Sequence, residues 1–216
     1  MAAPTTVYLI RHGRTALNAA GLLRGHIDLP PDRVGRTEAA QLGAVFKGVR
    51  LTAVVSSPLR RALETAAPVA AAGGVAVRTD PAFVDRDYGP WNGAAADKVA
   101  AVFGSLDAAP GVEPQAAFAR RVLDGWAEVA IELAGEAYAL VTHDAVCRLI
   151  LGHVLRAAGG PIPAIRQRTG CWNLLELRGE RWHALVVDAV PDDGRRPDRP
   201  DVRFHPDVRF PPDREE

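Results

Sequence analysis

The 216-residue sequence predicts an α/β protein, with a mostly parallel sheet and helices on both of its faces. Three observations predict it. Short, β-prone apolar runs alternate with helical apolar patterns along most of the chain. Two of those runs end abruptly in polar, chemically capable residues: residues 7–10 in Arg11-His12-Gly13, and residues 138–141 in Thr142-His143-Asp144. A closing pair of runs, 172–177 and 182–187, flanks Gly179-Glu180 and reads as a hairpin, which supplies at least one antiparallel strand.

The elements follow in order. Residues 7–10 form the first strand, being short, continuous and rich in Val, Ile and Tyr. Its carboxyl end delivers Arg11 and His12 to the edge where open α/β sheets bind ligands. A loop and short turn cover residues 14–25, and residues 26–31 carry turn chemistry. Asp32 is a good N-cap for a helix to about Lys47, with Leu42, Val45 and Phe46 on its buried face.

Residues 52–55 read as the second strand. Ser57 is then the expected N-cap and Pro58 the first residue of a helix that Gly73-Gly74 stops. That start places Arg60 in the first turn, where free N–H groups and the dipole favour anions; Arg61 reads as a surface residue. Residues 75–78 form a third strand. The stretch 94–103 is Ala-rich and helical, and 107–113 is a loop.

A strong helix covers 114–133, with a core stripe of Phe118, Val122, Trp126, Val129 and Leu133. His143 repeats the arrangement of His12, a strand end followed by a helix, and Asp144 is expected to cap that helix. Gly159-Gly160-Pro161 breaks the chain before the hairpin.

Composition narrows the function classes. Twenty-six basic residues balance twenty-six acidic ones, so no global field points to nucleic acid and none repels a phosphate. The basic residues are nearly all Arg, Lys47 and Lys98 being the two lysines, and Arg suits bidentate binding of oxyanions. Cys147 and Cys171 make no disulfide framework and no metal pattern. Cys147 falls in a helical apolar pattern and reads as a buried thiol. His26, His153 and His183 show no metal spacing and read as structural or exposed.

The first residues lack a secretory pattern, and no apolar run approaches a membrane span, so a cytoplasmic protein is expected. One domain is expected over residues 1–190. Residues 191–216 change character, with six prolines, six arginines and eight acidic residues, and a segment from Pro200 nearly repeats from Pro206. Disorder is the default for that tail, and an extended arm on this subunit or on the partner of a homodimer is the alternative.

Three blocks carry a resemblance. Leu9-Ile10-Arg11-His12-Gly13-Arg14-Thr15 with Asn18, Ser56-Ser57-Pro58-Leu59-Arg60-Arg61-Ala62-Leu63-Glu64-Thr65-Ala66, and Val141-Thr142-His143-Asp144-Ala145-Val146 each follow a predicted strand. Together they resemble the signature of the histidine phosphatase superfamily, the phosphoglycerate-mutase-like enzymes, across about residues 5–188. The resemblance implies a three-layer α/β/α sandwich. It implies that His12 is a nucleophile passing through a phosphohistidine, and that no cofactor or metal is required.

The segment Asp85-Arg86-Asp87-Tyr88-Gly89-Pro90-Trp91-Asn92-Gly93 resembles the family's proton-donor segment. Its usual Glu falls on Asp85, one methylene shorter, and a later Glu falls on Asn92. Asp87 is a backup donor. Arg11, Gly13, Thr15, Asn18, Arg60 and His143 are the implied phosphate ligands, and Arg11, Arg60 and His143 can supply the positive cradle that phosphoryl transfer needs. Arg14, Arg24, Trp91 and residues near Phe103 are candidates for lining the substrate pocket.

Only 57 residues lie between Asp85 and His143, short for a mutase of this family, so the chain looks like the phosphatase branch. The expected activity is hydrolysis of a small phosphorylated metabolite. A phosphoglycerate mutase and a catalytically weak phospho-ligand binder are the alternatives.

Overall fold

Val7, Tyr8, Leu9 and Ile10 are apolar on both sides of the strand, so β1 (Thr5–Arg11) can only be a strand covered on both faces. A computed structural model of the chain describes residues 3–157 and 165–197. There β1 lies at the centre of a six-stranded sheet ordered β3-β2-β4-β1-β5-β6. The other strands are β2 (Ala53–Ser56), β3 (Val77–Thr79), β4 (Ala137–Thr142), β5 (Trp172–Arg178) and β6 (Arg181–Ala189). β1, β4, β2 and β3 pair in parallel, while β5 runs antiparallel to β1 and forms the expected hairpin with β6.

The helices are α1 (Ala16–Ala19), α2 (Arg33–Val45), α3 (Arg60–Gly73), α4 (Ala96–Phe103), α5 (Gln115–Glu132) and α6 (Asp144–Ala157). Strand alternation sorts them into layers. Tyr8, Ile10, Ala139 and Val141 pack with Leu42, Phe46, Ala62, Ala66 and Val69 of the α2–α3 region. Val7, Leu9, Tyr138 and Leu140 pack with Phe118, Val122, Trp126, Val146 and Ile150 of α5 and α6. The result is the expected three-layer sandwich. The α5 stripe is core, and Cys147 and Cys171 are buried free thiols. Among the described residues, no helix is long and apolar enough to cross a membrane.

Helix ends follow local chemistry. Asp32 caps α2 by accepting from the Gly35 N–H at 2.8 Å, and Gly74 ends α3 in the left-handed region at φ 68°. Two expected ends shift. α3 begins at Arg60, two residues past Pro58, and Leu59 at its N-cap offers no side-chain acceptor. Asp28 does that work from a distant loop, its Oδ1 accepting from the Arg60 N–H at 2.7 Å. Asp144 is the first residue of α6 rather than its cap, and its carboxylate turns to Arg11 and Arg148.

A third, small cluster joins Leu23, Val99 and Ala109 with Trp91 and Phe103, whose tilted rings have centroids 5.0 Å apart. It fastens the segment before Gly25 to α4. The Gly159-Gly160-Pro161 break and the repeat from Pro200 lie outside the described residues. Of the tail, the described part turns at Pro191–Asp193 and reaches back to the sheet, where the Tyr8 hydroxyl donates to the Pro197 carbonyl at 3.2 Å.

Candidate active site

The parallel pairing of β1 with β4 puts two strand ends side by side, with Arg11 opposite Thr142. His12 and His143 follow those residues, so their rings meet, with centroids 5.2 Å apart at 61°. Both rings are fully buried. His12 Nδ1 lies 2.7 Å from the Gly13 carbonyl oxygen. A carbonyl can only accept, so Nδ1 carries the proton and Nε2 presents a bare lone pair. That Nε2 is buried and has no hydrogen-bond partner among the described residues. Burial foremost, then the charges of Arg61 and Arg11, hold the ring's pKa well below the ordinary histidine value. His12 is therefore a neutral, oriented imidazole.

His143 is oriented by different partners. Its Nδ1 accepts from Arg61 Nε at 3.2 Å, which leaves the proton on Nε2 to donate to Ser57 Oγ at 2.7 Å. Burial first, then Arg61, keeps it neutral as well. Of the three groups expected to make a positive cradle, His143 is thus a neutral, hydrogen-bonding ring. Ser57, expected to cap α3, serves His143 instead.

Arg60 requires the larger correction. Its side chain is 56% exposed and pairs with Glu64 one turn on, at 3.1 Å. Arg61 is fully buried in the site. Its NH2 group donates to Asp85 Oδ2 at 3.2 Å and to the Gly25 carbonyl at 2.8 Å, and its NH1 group to the Ile27 carbonyl at 2.8 Å. The helical period explains the difference. Arg61 and Thr65 lie on the stripe of Ala62, Ala66 and Val69, whereas Arg60 and Glu64 lie off it.

Asp85 is buried, and its Oδ1 accepts from the Arg86 N–H at 3.0 Å. Its Oδ2 lies 3.9 Å from His143 Nδ1. Burial raises its carboxyl pKa, with Arg61 opposing. Its loop is held rigidly: Arg121 donates to the carbonyls of Ala82, Val84 and Asp85, and Thr142 Oγ1 donates to the Phe83 carbonyl. His26 Nε2 also donates to the Asp85 carbonyl, at 2.9 Å. Asp87, the backup donor, faces elsewhere; burial is the largest single influence on its carboxyl and raises its pKa, but the bonds it accepts from the Asn92 amide and the Gly89 N–H, with the charge of His26, together lower it.

Arg11 donates from NH1 to Asp144 at 3.3 Å and to the Gln167 carbonyl, while its buried Nε has no partner among the described residues. Gly13 gives its N–H to Thr65 Oγ1 at 2.9 Å and packs where a Cβ would lie 2.4 Å from the Gly35 carbonyl, so its place is structural. Thr15 and Asn18 cap α1 reciprocally, Asn18 Oδ1 accepting from both the N–H and the hydroxyl of Thr15. Arg14 pairs with Asp32, and Trp91 with Phe103 belongs to the small cluster. No group of three His, Cys, Asp or Glu side chains among the described residues is arranged to hold a metal ion.

The two neutral rings make a stability prediction. In the unfolded chain each titrates near the ordinary histidine value of 6.5, and in the native state well below it. Below about pH 6.5 the unfolded chain binds the extra protons, so stability is lost as pH falls, by up to about 1.4 kcal/mol per pH unit per ring. Asp85 works with the opposite sign above the ordinary aspartate value of 3.8, because the native carboxyl holds its proton longer. Urea midpoints are expected to fall steadily from pH 7.5 to 5.5, and more shallowly in His143→Gln.

Comparison with known proteins agrees with this geometry. Residues 7–189 match the family model of the histidine phosphatase superfamily (branch 1). The metal-independent phosphoserine phosphatase of Arabidopsis thaliana is 30% identical over 201 residues, 87% of this chain and 82% of that protein. The uncharacterized protein Rv0525 of Mycobacterium tuberculosis is 41% identical over 100 residues, 42% of this chain and 48% of that protein, so the chain spans about half the length of that relative.

Among solved structures, Bacillus stearothermophilus YhfR superimposes with a TM-score of 0.78 at 25% identity, over 86% of this chain and 98% of that one. A putative alpha-ribazole-5'-P phosphatase from Escherichia coli does so with a TM-score of 0.75 at 25% identity, over 86% and 96%. A strand-end histidine with a bare nitrogen, a second histidine beside it, a buried arginine and a family model covering most of the chain converge on one conclusion: the chain belongs to the histidine phosphatase superfamily, branch 1.

Proposed function

We propose that this chain is a phosphomonoesterase that hydrolyses a small phosphorylated metabolite through a phosphohistidine on His12, without a metal. The observation that carries the reading is the bare, buried Nε2 of His12, locked in the nucleophilic tautomer by the Gly13 carbonyl. The phosphatases among its relatives support the reaction class.

The lone pair of Nε2 attacks phosphorus as the bond to the leaving oxygen breaks. The Asp85 carboxyl, whose burial favours the protonated form, gives its proton to that oxygen. As carboxylate it then takes a proton from water. The water oxygen attacks phosphorus, the P–N bond breaks, and phosphate leaves. Arg11 and Arg61 balance charge on the equatorial oxygens. Asn18, whose NH2 group has no partner among the described residues, adds a donor that Thr15 holds in place. Arg60, exposed and paired, takes no part.

The test is hydrolysis of p-nitrophenyl phosphate from about pH 5 to 8 in EDTA. Asp85→Asn is expected to lower kcat by about 10²- to 10³-fold, the usual worth of a positioned acid, and Asp85→Glu to keep or raise it. Wild-type activity that vanishes in EDTA and returns with a divalent cation overturns the metal-free mechanism; full activity in Asp85→Asn overturns the role of Asp85.

A further inference from the structure

The loop 24–27 wraps the acid side of the site. The Gly25 and Ile27 carbonyls accept from Arg61, and His26 donates to the Asp85 carbonyl. The residue at its head, Arg24, is pinned from behind. Leu23 is buried in the small cluster, its N–H donates to the Ala94 carbonyl at 2.8 Å, and its carbonyl accepts from the Gly93 N–H at 2.8 Å. The Arg24 guanidinium spends one donor, from NH1 to the Leu22 carbonyl at 3.1 Å. Its Nε is buried with no partner, and no carboxylate of the described residues pairs with it.

That last point sets it apart. Arg11 has Asp144 and Arg61 has Asp85, so each of those cations already faces a carboxylate. Arg24 is the cation of the site without one among the described residues. Its chain neighbour Gly25 accepts from the same Arg61 NH2 group that bonds Asp85, so Arg24 heads the loop on the acid side of the site. The acid side is where the leaving alcohol sits in an in-line displacement.

We propose that Arg24 selects substrates whose leaving alcohol carries a second anionic group, through its unpaired guanidinium fork at the head of the loop that holds Asp85. This inference rests on the phosphatase reading for its placement of the leaving group. A guanidinium presents coplanar donors that match a carboxylate or phosphate edge. A buried donor left without a partner penalises the neutral analogue, which turns attraction into specificity.

The test separates this inference from the reaction by reading affinity in the full-length His12→Ala protein, which binds without turning over. Calorimetry compares 3-phosphoglycerate with glycerol 3-phosphate, which differ by a carboxylate. It also compares propane-1,3-diol bisphosphate with the monophosphate, which differ by a phosphate. With Arg24 present the charged member of at least one pair is expected to bind about 10- to 100-fold tighter, the worth of a charge-assisted hydrogen bond.

Adding Arg24→Gln is expected to bring that ratio near one, and Arg24→Lys, which keeps charge but loses the fork, to lower it several-fold. A preference confined to the first pair identifies a carboxylate, and one in the second pair a phosphate. A ratio near one in both pairs with Arg24 present, or a preference that both Arg24 variants retain, overturns the proposal. Hydrolysis of p-nitrophenyl phosphate by the wild type reports on the phosphatase reading separately.

Discussion

His12→Ala is expected to abolish phosphate-ester hydrolysis, lowering kcat by at least about 10⁴-fold, as loss of a covalent nucleophile does in other enzymes. The size of the effect follows from how little else could substitute. His143, the neighbouring ring, has both nitrogens engaged, by Arg61 and by Ser57. Cys147 and Cys171 are buried, and burial foremost pushes both thiols well above their ordinary pKa, so neither offers a thiolate. The one hydrogen bond lost with the ring is that to the Gly13 carbonyl, so the fold is retained. Steady-state kinetics with circular dichroism on the same preparation measures both halves of the expectation.

Arg61→Ala is expected to damage stability and activity together, while Arg60→Ala leaves both within error. Arg61 is fully buried and joins His143, Asp85, Gly25 and Ile27 in one clamp. Removing it strands the buried Asp85 carboxyl, the buried Gly25 carbonyl and the half-buried Ile27 carbonyl, and breaking a buried pair in this way costs about 3–5 kcal/mol. Asp85 is then pushed further toward its neutral form, and His143 is free to turn. Arg60 is half in water and bonded to Glu64, an exposed pair worth about 0.3–0.5 kcal/mol at most. Urea unfolding and p-nitrophenyl phosphate turnover on both variants give the contrast. Equal losses in the two would mean that the helical face has been assigned wrongly.

That contrast also marks what was legible in the sequence. Strand and helix alternation predicts the sandwich, and the apolar run of β1 predicts a central strand delivering Arg11 and His12 to its end. The His12–His143 pair follows once β1 and β4 are parallel neighbours, which only the tertiary fold decides. The sequence points to Arg60 because a helix starting at Pro58 places it in the first turn. The true start, at Arg60, depends on a capping carboxylate from Asp28, which is 32 positions away in sequence and invisible to local rules. A signal for Arg61 was nonetheless present: Arg60 and Glu64 form an i, i+4 ion pair off the apolar stripe, while Arg61 and Thr65 interrupt that stripe. Buried polar residues on an apolar face are where a sequence breaks its own pattern for function.

Asp85 illustrates a different limit. The one-methylene deficit against the usual Glu is plain in the sequence, but its consequence depends on the loop that carries it. Arg121 and Thr142 fix that loop from distant segments by donating to its backbone carbonyls, and Arg86 ties it to the distant Glu113 carbonyl, pairings that no local rule predicts. The loop is thus held against the site, and the short side chain reaches Arg61 directly.

The proposed reaction turns on a covalent phosphohistidine at His12. Rapid acid-free quenching of the protein with a ³²P-labelled phosphomonoester, followed by peptide mapping, tests it most directly. The label is expected to survive alkali, to be lost in acid, to map to the peptide containing His12 and to be absent from His12→Ala. Turnover of the same substrate with no such label at any quench time, or a label that persists in His12→Ala, would contradict it.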